Sequence, residues 1–316
     1  MPLKAFALRG SWYRETIESS IDGLEKLVGQ LTEDNAWLFL YCCVAWFEEI
    51  PRRSGNFYLH INDRLKSQAG RTLAKRVEQA IQKSLPAGVT LRDVVDQVGR
   101  AYDRERKDQG FEEWQRNNVT GNAFEAALQV LIARLAGQIP SRTPRLNTLA
   151  GFELAPQGYH SRPDLVMFSA RDFRLLISTK WTLRKERLGT YLHEAYFYKK
   201  RRPDLQVAFV VAEFNLNILE WLCDDPLVDR VYHISRGELL AAHRPFQDYG
   251  ESTYPVSLLL DVNDKRVRGY GRWLKIQSKL FDLSQLFEDI RTLRRLDRDS
   301  PVDPDGEEVD EEANSD

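Results

Sequence analysis

Cysteine is scarce in this chain of 316 residues: three occur, adjacent at Cys42 and Cys43 and alone at Cys223. That set excludes a disulfide scaffold, and no Cys or His spacing suits a zinc site. Long hydrophobic runs are missing too. The longest, Ala36 to Phe47, has 12 residues, short of the roughly 18 needed to cross a bilayer, so no membrane association is expected. Lys4, Arg9 and Arg14 interrupt the first fifteen residues, so no secretory signal is expected and the cytoplasm is the expected location. The five histidines, at 60, 160, 193, 233 and 243, share no ligand spacing.

Charge is abundant but uneven. The chain carries 45 basic and 47 acidic residues, and nine of the acidic ones fall between Asp299 and Asp316, where no basic residue occurs. The other 38 leave residues 1–298 with a net charge of +7. A basic body admits a polyanionic partner, and the acidic stretch 299–316 has the composition of a solvated, disordered tail.

Residues 1 to about 138 read as helices. Thr32 is a candidate N-cap for a helix carrying Trp37, Leu38, Leu40, Tyr41, Val44 and Trp46 and stopping before Pro51. A basic amphipathic stretch, Leu65 to Leu85, follows, and another helix starts after Thr90 with Leu91, Val94, Val95, Val98 and Tyr102. Gly121 to Leu135 is apolar almost all round, which predicts a buried helix. From about residue 145 short apolar runs alternate with helical segments. Leu165–Phe168, Phe173–Ile177, Val207–Phe214, Val231–Ile234 and Val256–Val262 read as strands, and Arg184–Lys200, Asn217–Cys223 and Arg236–His243 as helices. The expected fold is α/β, a mixed central β-sheet flanked by helices with a helical N-terminal region added. The expected divisions are 1–115, 116–298 and 299–316.

Chemistry concentrates in Ser161-Arg-Pro-Asp-Leu-Val-Met-Phe168 and Arg174-Leu-Leu-Ile-Ser-Thr-Lys-Trp181. Asp164 opens one strand. Ser178 and Lys180, two apart near the end of the next, leave the sheet on one face. A short connection makes the two strands a hairpin, so Asp164 and Lys180 are expected to be neighbours. A carboxylate beside an ammonium at a sheet edge suits metal-assisted phosphodiester hydrolysis, the carboxylate holding a hard cation and the lysine positioning or helping to deprotonate a water. Arg-Pro-Asp-Leu recurs at 202–205 without a later lysine, so Asp204 reads as structural. Trp181 reads as packing rather than base stacking, and Cys42 and Cys43 as core.

The pattern resembles the PD-(D/E)XK nuclease fold, with Pro163-Asp164 as its first element and Ser178-Thr179-Lys180 in place of the second. Within that fold, Ser178, Lys180, Arg184, Glu186, Arg187 and Glu194 resemble the CCGG-recognising restriction endonucleases of the NgoMIV type. In those enzymes a Ser-x-Lys strand leads into an Arg-x-(Asp/Glu)-Arg motif and then a migrated glutamate. Arg187 and Glu194, seven residues apart, share one helix face. Two guanidinium forks match the O6 and N7 acceptors of guanine, and Glu186 can accept from the N4 amino group of cytosine.

The resemblance implies a restriction-endonuclease-like core in a type II restriction endonuclease that cleaves double-stranded DNA. Its target is a palindromic CCGG-containing site, cut before the first C to leave 5′-phosphate, 5′-overhanging ends in the presence of Mg²⁺. Asp164 and Glu194 would bind the metal, Lys180 would orient and activate the water, and Ser178 marks the vacated acidic position. Glu125, the one ionisable residue between Gly121 and Ile132, resembles the glutamate that enzymes of this fold aim at the metal from the preceding helix; a plain helix-start carboxylate is the alternative. A palindrome implies a homodimer, each subunit reading one half, with a tetramer also open. The short interval from Asp164 to Lys180 keeps open an interrupted CCNGG site. A repair nuclease of the same fold and a DNA-binding regulator that does not cut are the other readings.

Overall fold

The computed structural model of the chain describes residues 3–45, 82–108, 119–154, 163–168, 173–181, 183, 185–213, 215–237, 239, 272 and 274–299. Several expectations lie outside them: Arg184, the end of the helix before Pro51, most of Leu65–Leu85 and of Arg236–His243, the strand Val256–Val262, and the tail beyond residue 299.

Among the described residues, helices come first. They include α1 (Leu3–Val28), α2 (Ala36–Ala45), α3 (Leu91–Asp108) and α4 (Val119–Ala136). Helix α3 starts where the sequence predicts, because Thr90 and Asp93 cap it reciprocally. Thr90 N donates to Asp93 Oδ2 at 2.8 Å and Asp93 N to Thr90 Oγ1 at 3.2 Å. The expected cap at Thr32 is corrected. Three turn residues follow it, and α2 begins after Asn35, whose carbonyl accepts from Leu38 N at 2.9 Å and Phe39 N at 3.3 Å. Asn35 wins because its side chain holds the turn, accepting from Thr32 N at 2.8 Å and donating to Gln30 O at 2.9 Å.

The described residues then form one six-stranded mixed sheet: β1 (Ser141–Arg142), β2 (Leu165–Phe168), β3 (Phe173–Lys180), β4 (Gln206–Val211), β5 (Arg230–His233) and β6 (Leu280–Asp282), neighbours in chain order. Pairs β1/β2 and β2/β3 are antiparallel, and β3/β4, β4/β5 and β5/β6 are parallel. Helix α5 (Lys185–Arg201) connects β3 to β4, α6 (Leu216–Asp224) connects β4 to β5, and α7 (Leu283–Asp299) follows β6. Strands β1 and β6 escape a sequence reading because two or three residues cannot show a period.

Consecutive residues Leu175, Leu176 and Ile177 on β3, and Val207 to Val211 on β4, are all buried. Continuous apolar runs of this kind belong to strands covered on both faces. Helix α4 packs on β3, α7 on β5 and β6, and α6 on β5, while α1 and α2 pack on α4. The buried helix α4 is thus the shared wall between the N-terminal helices and the sheet, which is why its sequence is apolar all round. No helix among the described residues is long and apolar enough to cross a membrane.

Cys42, Cys43 and Cys223 are free and buried in this core. Burial pushes the Cys43 and Cys223 thiols up to about 12 and raises Cys42 as well. Reactive thiolate is therefore scarce at ordinary pH. A thiol reagent at pH 8 is expected to label none of the three until denaturant is added; rapid labelling of the native protein would contradict the core packing.

Candidate active site

Parallel strands β3, β4 and β5 all point their carboxyl ends at one edge of the sheet, and antiparallel pairing brings the start of β2 to the same edge. Leu165 pairs with Ile177, and Lys180 with Val211. Ligands of open α/β sheets collect at this kind of edge.

Asp164, just before β2, is where the sequence predicts. Its Oδ2 accepts from Lys180 Nζ at 2.6 Å and Thr179 N at 2.7 Å, and more distantly, at 3.4 Å, from Ser178 Oγ and Thr179 Oγ1. Every one of these donors reaches the same oxygen, so Oδ1 has no hydrogen-bond partner among the described residues. The pair is sheltered, with side-chain exposures of 22% for Asp164 and 16% for Lys180. Burial alone would lower the Lys180 pKa. The Asp164 charge and its hydrogen bond, with Glu194 and Tyr191, outweigh burial and lift it, which holds the ammonium form.

Helix α5 supplies the other side. Leu188, Ala195 and Tyr198 anchor its apolar face, which turns Tyr191 and Glu194, three residues apart, toward the end of β3. Lys180 Nζ lies 5.1 Å from the Tyr191 ring centroid, and the Glu194 charge acts on the same ammonium. Glu186 and Arg187 are exposed on the first turn, about 10 to 12 Å along the helix from Glu194 at 1.5 Å per residue. His193 is exposed. Trp181 is buried, its ring 5.4 Å from Phe124 and 5.8 Å from Tyr41, as packing requires.

Glu125, on α4, is buried and feels the Asp164 charge. Its partner is Arg142 on β1, whose Nε donates to Glu125 Oε1 at 2.5 Å while Nη2 donates to Asn122 O at 3.3 Å. Burial pushes the Glu125 carboxyl up to about 7 and Asp164 adds to the rise, against Arg142 and Lys180. A sequence reading misses Arg142 because it sits on a two-residue strand. It also misses Glu213 and Tyr191. For Glu213 a faint signal exists, a carboxylate closing the apolar run Val207–Phe214 at the edge where sites form. Asp204 pairs with Arg202 through bonds of 2.9 and 2.6 Å, a structural role as expected.

A metal must be judged by these donors. Among the described residues no three His, Cys, Asp or Glu side chains form a ready cage. What is present is one carboxylate with an unengaged oxygen, a second across Lys180 on α5, and a third tied to Arg142. Hard oxygen ligands in small number suit Mg²⁺, which keeps several waters and completes its shell with substrate phosphate, and suit zinc poorly.

Fold and site together define an α/β protein with an aspartate–lysine pair at the carboxyl edge of a mixed sheet. No family model matches the chain, and no curated protein does. Among solved structures, the chain is similar to the restriction endonuclease PspGI in complex with its substrate DNA, at 15% identity and TM-score 0.42 over 75% of this chain and 96% of that one. It is also similar to metal-depleted Ecl18kI in complex with uncleaved DNA, at 13% identity and TM-score 0.32 over 91% of this chain and 87% of that one.

Proposed function

We propose that the chain is a type II restriction endonuclease with a restriction-endonuclease-like core, cleaving double-stranded DNA at a palindromic site with a CCGG core. The observation that carries this reading is the 2.6 Å contact of Lys180 with Asp164, at the foot of a helix whose exposed first turn holds Glu186 and Arg187. Glu194, on the third turn of the same helix, acts on the Lys180 ammonium, so one rigid element links the reading groups to the catalytic pair.

Asp164 and Glu194 would hold a divalent cation, Mg²⁺ on the chemistry of the donors, and Glu125 would assist them. A cation bound there would supply charge stabilisation to the scissile phosphate and make the attacking water more acidic. Lys180 keeps a positive charge and donors beside the phosphate and orients the attacking water. Ser178, in the position an acidic residue would fill, donates to Asp164 Oδ2 and steadies it. Arg184 and Arg187 read guanine and Glu186 reads cytosine. A homodimer places one such set on each half-site. Residues 1–115 would serve flank contacts or dimerisation, 116–298 would cut and read, and 299–316 have the composition of an acidic tail.

Incubation with Mg²⁺ and a sequenced plasmid, followed by mapping of the ends, tests this. Ends that all fall at one CCGG-containing palindrome with 5′ overhangs support it. Ends at CCNGG would move the site to the interrupted class, and cutting governed by DNA structure would replace restriction with repair. Arg187→Ala is expected to weaken discrimination of the cognate site by about 1–3 kcal/mol, read as the ratio of cleavage rates on cognate and single-mismatch duplexes.

A further inference from the structure

From the Lys180 carbonyl to the first residue of α5 the chain has four residues in which to carry the reading motif away from the catalytic strand. Two of them are held. Trp181 is packed on Tyr41 and Phe124, and Leu183 is fully buried, with its N–H donating to Glu213 Oε2 at 3.2 Å.

Glu213 lies two residues past the end of β4, after Ala212, whose N donates to Lys180 O at 3.3 Å. Only 9% of Glu213 is exposed, and its second oxygen accepts from Asn215 N at 2.9 Å. Asn215 in turn caps α6, accepting from Asn217 N at 3.1 Å. Helix α6 carries Trp221, whose ring lies 5.6 Å from Lys185 Nζ on α5. The Glu213 carbonyl accepts from His233 Nε2 at 3.0 Å. That donor role is settled by the other ring nitrogen, which accepts from Ser235 N at 3.1 Å. A buried carboxylate is expensive unless its oxygens are satisfied. This one is satisfied by backbone N–H groups of the two segments that launch α5 and α6, and it is braced from β5.

We infer that Glu213 is a positioning residue, fixing the segment from Lys180 to Arg187 so that the base-reading side chains stand in register with the catalytic pair. The inference rests on the endonuclease reading above. Its chemistry does not require Glu213 to touch DNA. Glutamine is the informative replacement, because a carboxamide has one acceptor oxygen where the site presents two N–H donors, at nearly the same volume.

Two measurements on Glu213→Gln are read side by side. Amide hydrogen exchange of a peptide spanning 181–190 is expected to speed up, while the peptide spanning 36–45 stays as in wild type. Cleavage of a single-mismatch duplex relative to cognate is expected to rise about 10- to 100-fold, while the single-turnover rate on saturating cognate DNA stays within about threefold. Faster exchange with unchanged discrimination overturns the positioning role and leaves Glu213 as a structural anchor. Unchanged exchange overturns the anchor itself. Should Glu213→Gln not fold, Glu213→Asp, whose carboxylate is one methylene short of the Leu183 and Asn215 N–H groups, is scored by the same criteria with a smaller expected shift. A wild-type protein that cuts no DNA, with exchange still responsive at 181–190, overturns the nuclease reading and the specificity role with it, while the anchor stands.

Discussion

Asp164→Ala is expected to slow double-strand scission by about 10³-fold or more, because a metal-held phosphate loses several kcal/mol of charge stabilisation and each 1.36 kcal/mol is a decade in rate. The same carboxylate is the hub of the site. It gathers Lys180 Nζ, Thr179 N and Ser178 Oγ on one oxygen, so its removal also frees the ammonium from the position in which it would orient the water. Asp164→Asn separates the two losses. An amide oxygen still accepts from Thr179 N, so the edge of the sheet is kept, but the negative charge is gone. Both variants are expected to retain specific DNA binding in a gel-shift assay and to lose cutting. Wild-type cleavage by either one would remove the metal from Asp164.

The second large effect concerns stability. Arg142→Met is expected to cost about 3 kcal/mol at pH 8, since it strips the partner from a buried carboxylate. Glu125 and Arg142 have side-chain exposures of 8% and 14%, so water repairs little of the loss. The pH dependence has a definite sign. The Glu125 pKa in the folded chain, about 7, lies above its value in an unfolded chain. Protonated Glu125 therefore favours the folded state, and its contribution is full at low pH and is lost as pH rises through 7. Removing Arg142 deletes an opposing influence and raises that pKa further. The destabilisation of Arg142→Met should accordingly grow from pH 5 to pH 8, measured as the midpoint of urea unfolding. Adding Glu125→Gln to the variant should recover most of it at pH 8. A loss that is equal at both pH values would mean that Arg142 acts through packing rather than charge.

Much of this architecture is legible in the residues. The edges of β2 follow from a four-residue apolar run opened by Pro163-Asp164, and α4 from an apolar stretch of helical length, because period and composition are local properties. The Asp164–Lys180 contact is legible for the same reason: a hairpin of known length and the two-residue alternation of a strand leave little freedom. The start of α2 is less so. Thr32 and Asn35 are both good caps, and the choice between them depends on which N–H groups the turn leaves over. Glu125 is legible as the one ionisable residue in an apolar helix, but its partner Arg142 is not.

Sequence alone determined the pairing of the catalytic candidates and the buried character of the wall behind them, since both depend on neighbours within a few residues along the chain. Tertiary structure decided everything that depends on distant segments meeting. It gave Glu125 to Arg142, tied Leu183 to Glu213 across 30 residues, and turned Tyr191 and Glu194 toward Lys180. The physical reason is that a buried charge must be satisfied by whatever the fold brings beside it, and no periodicity in a single chain records which distant group that will be.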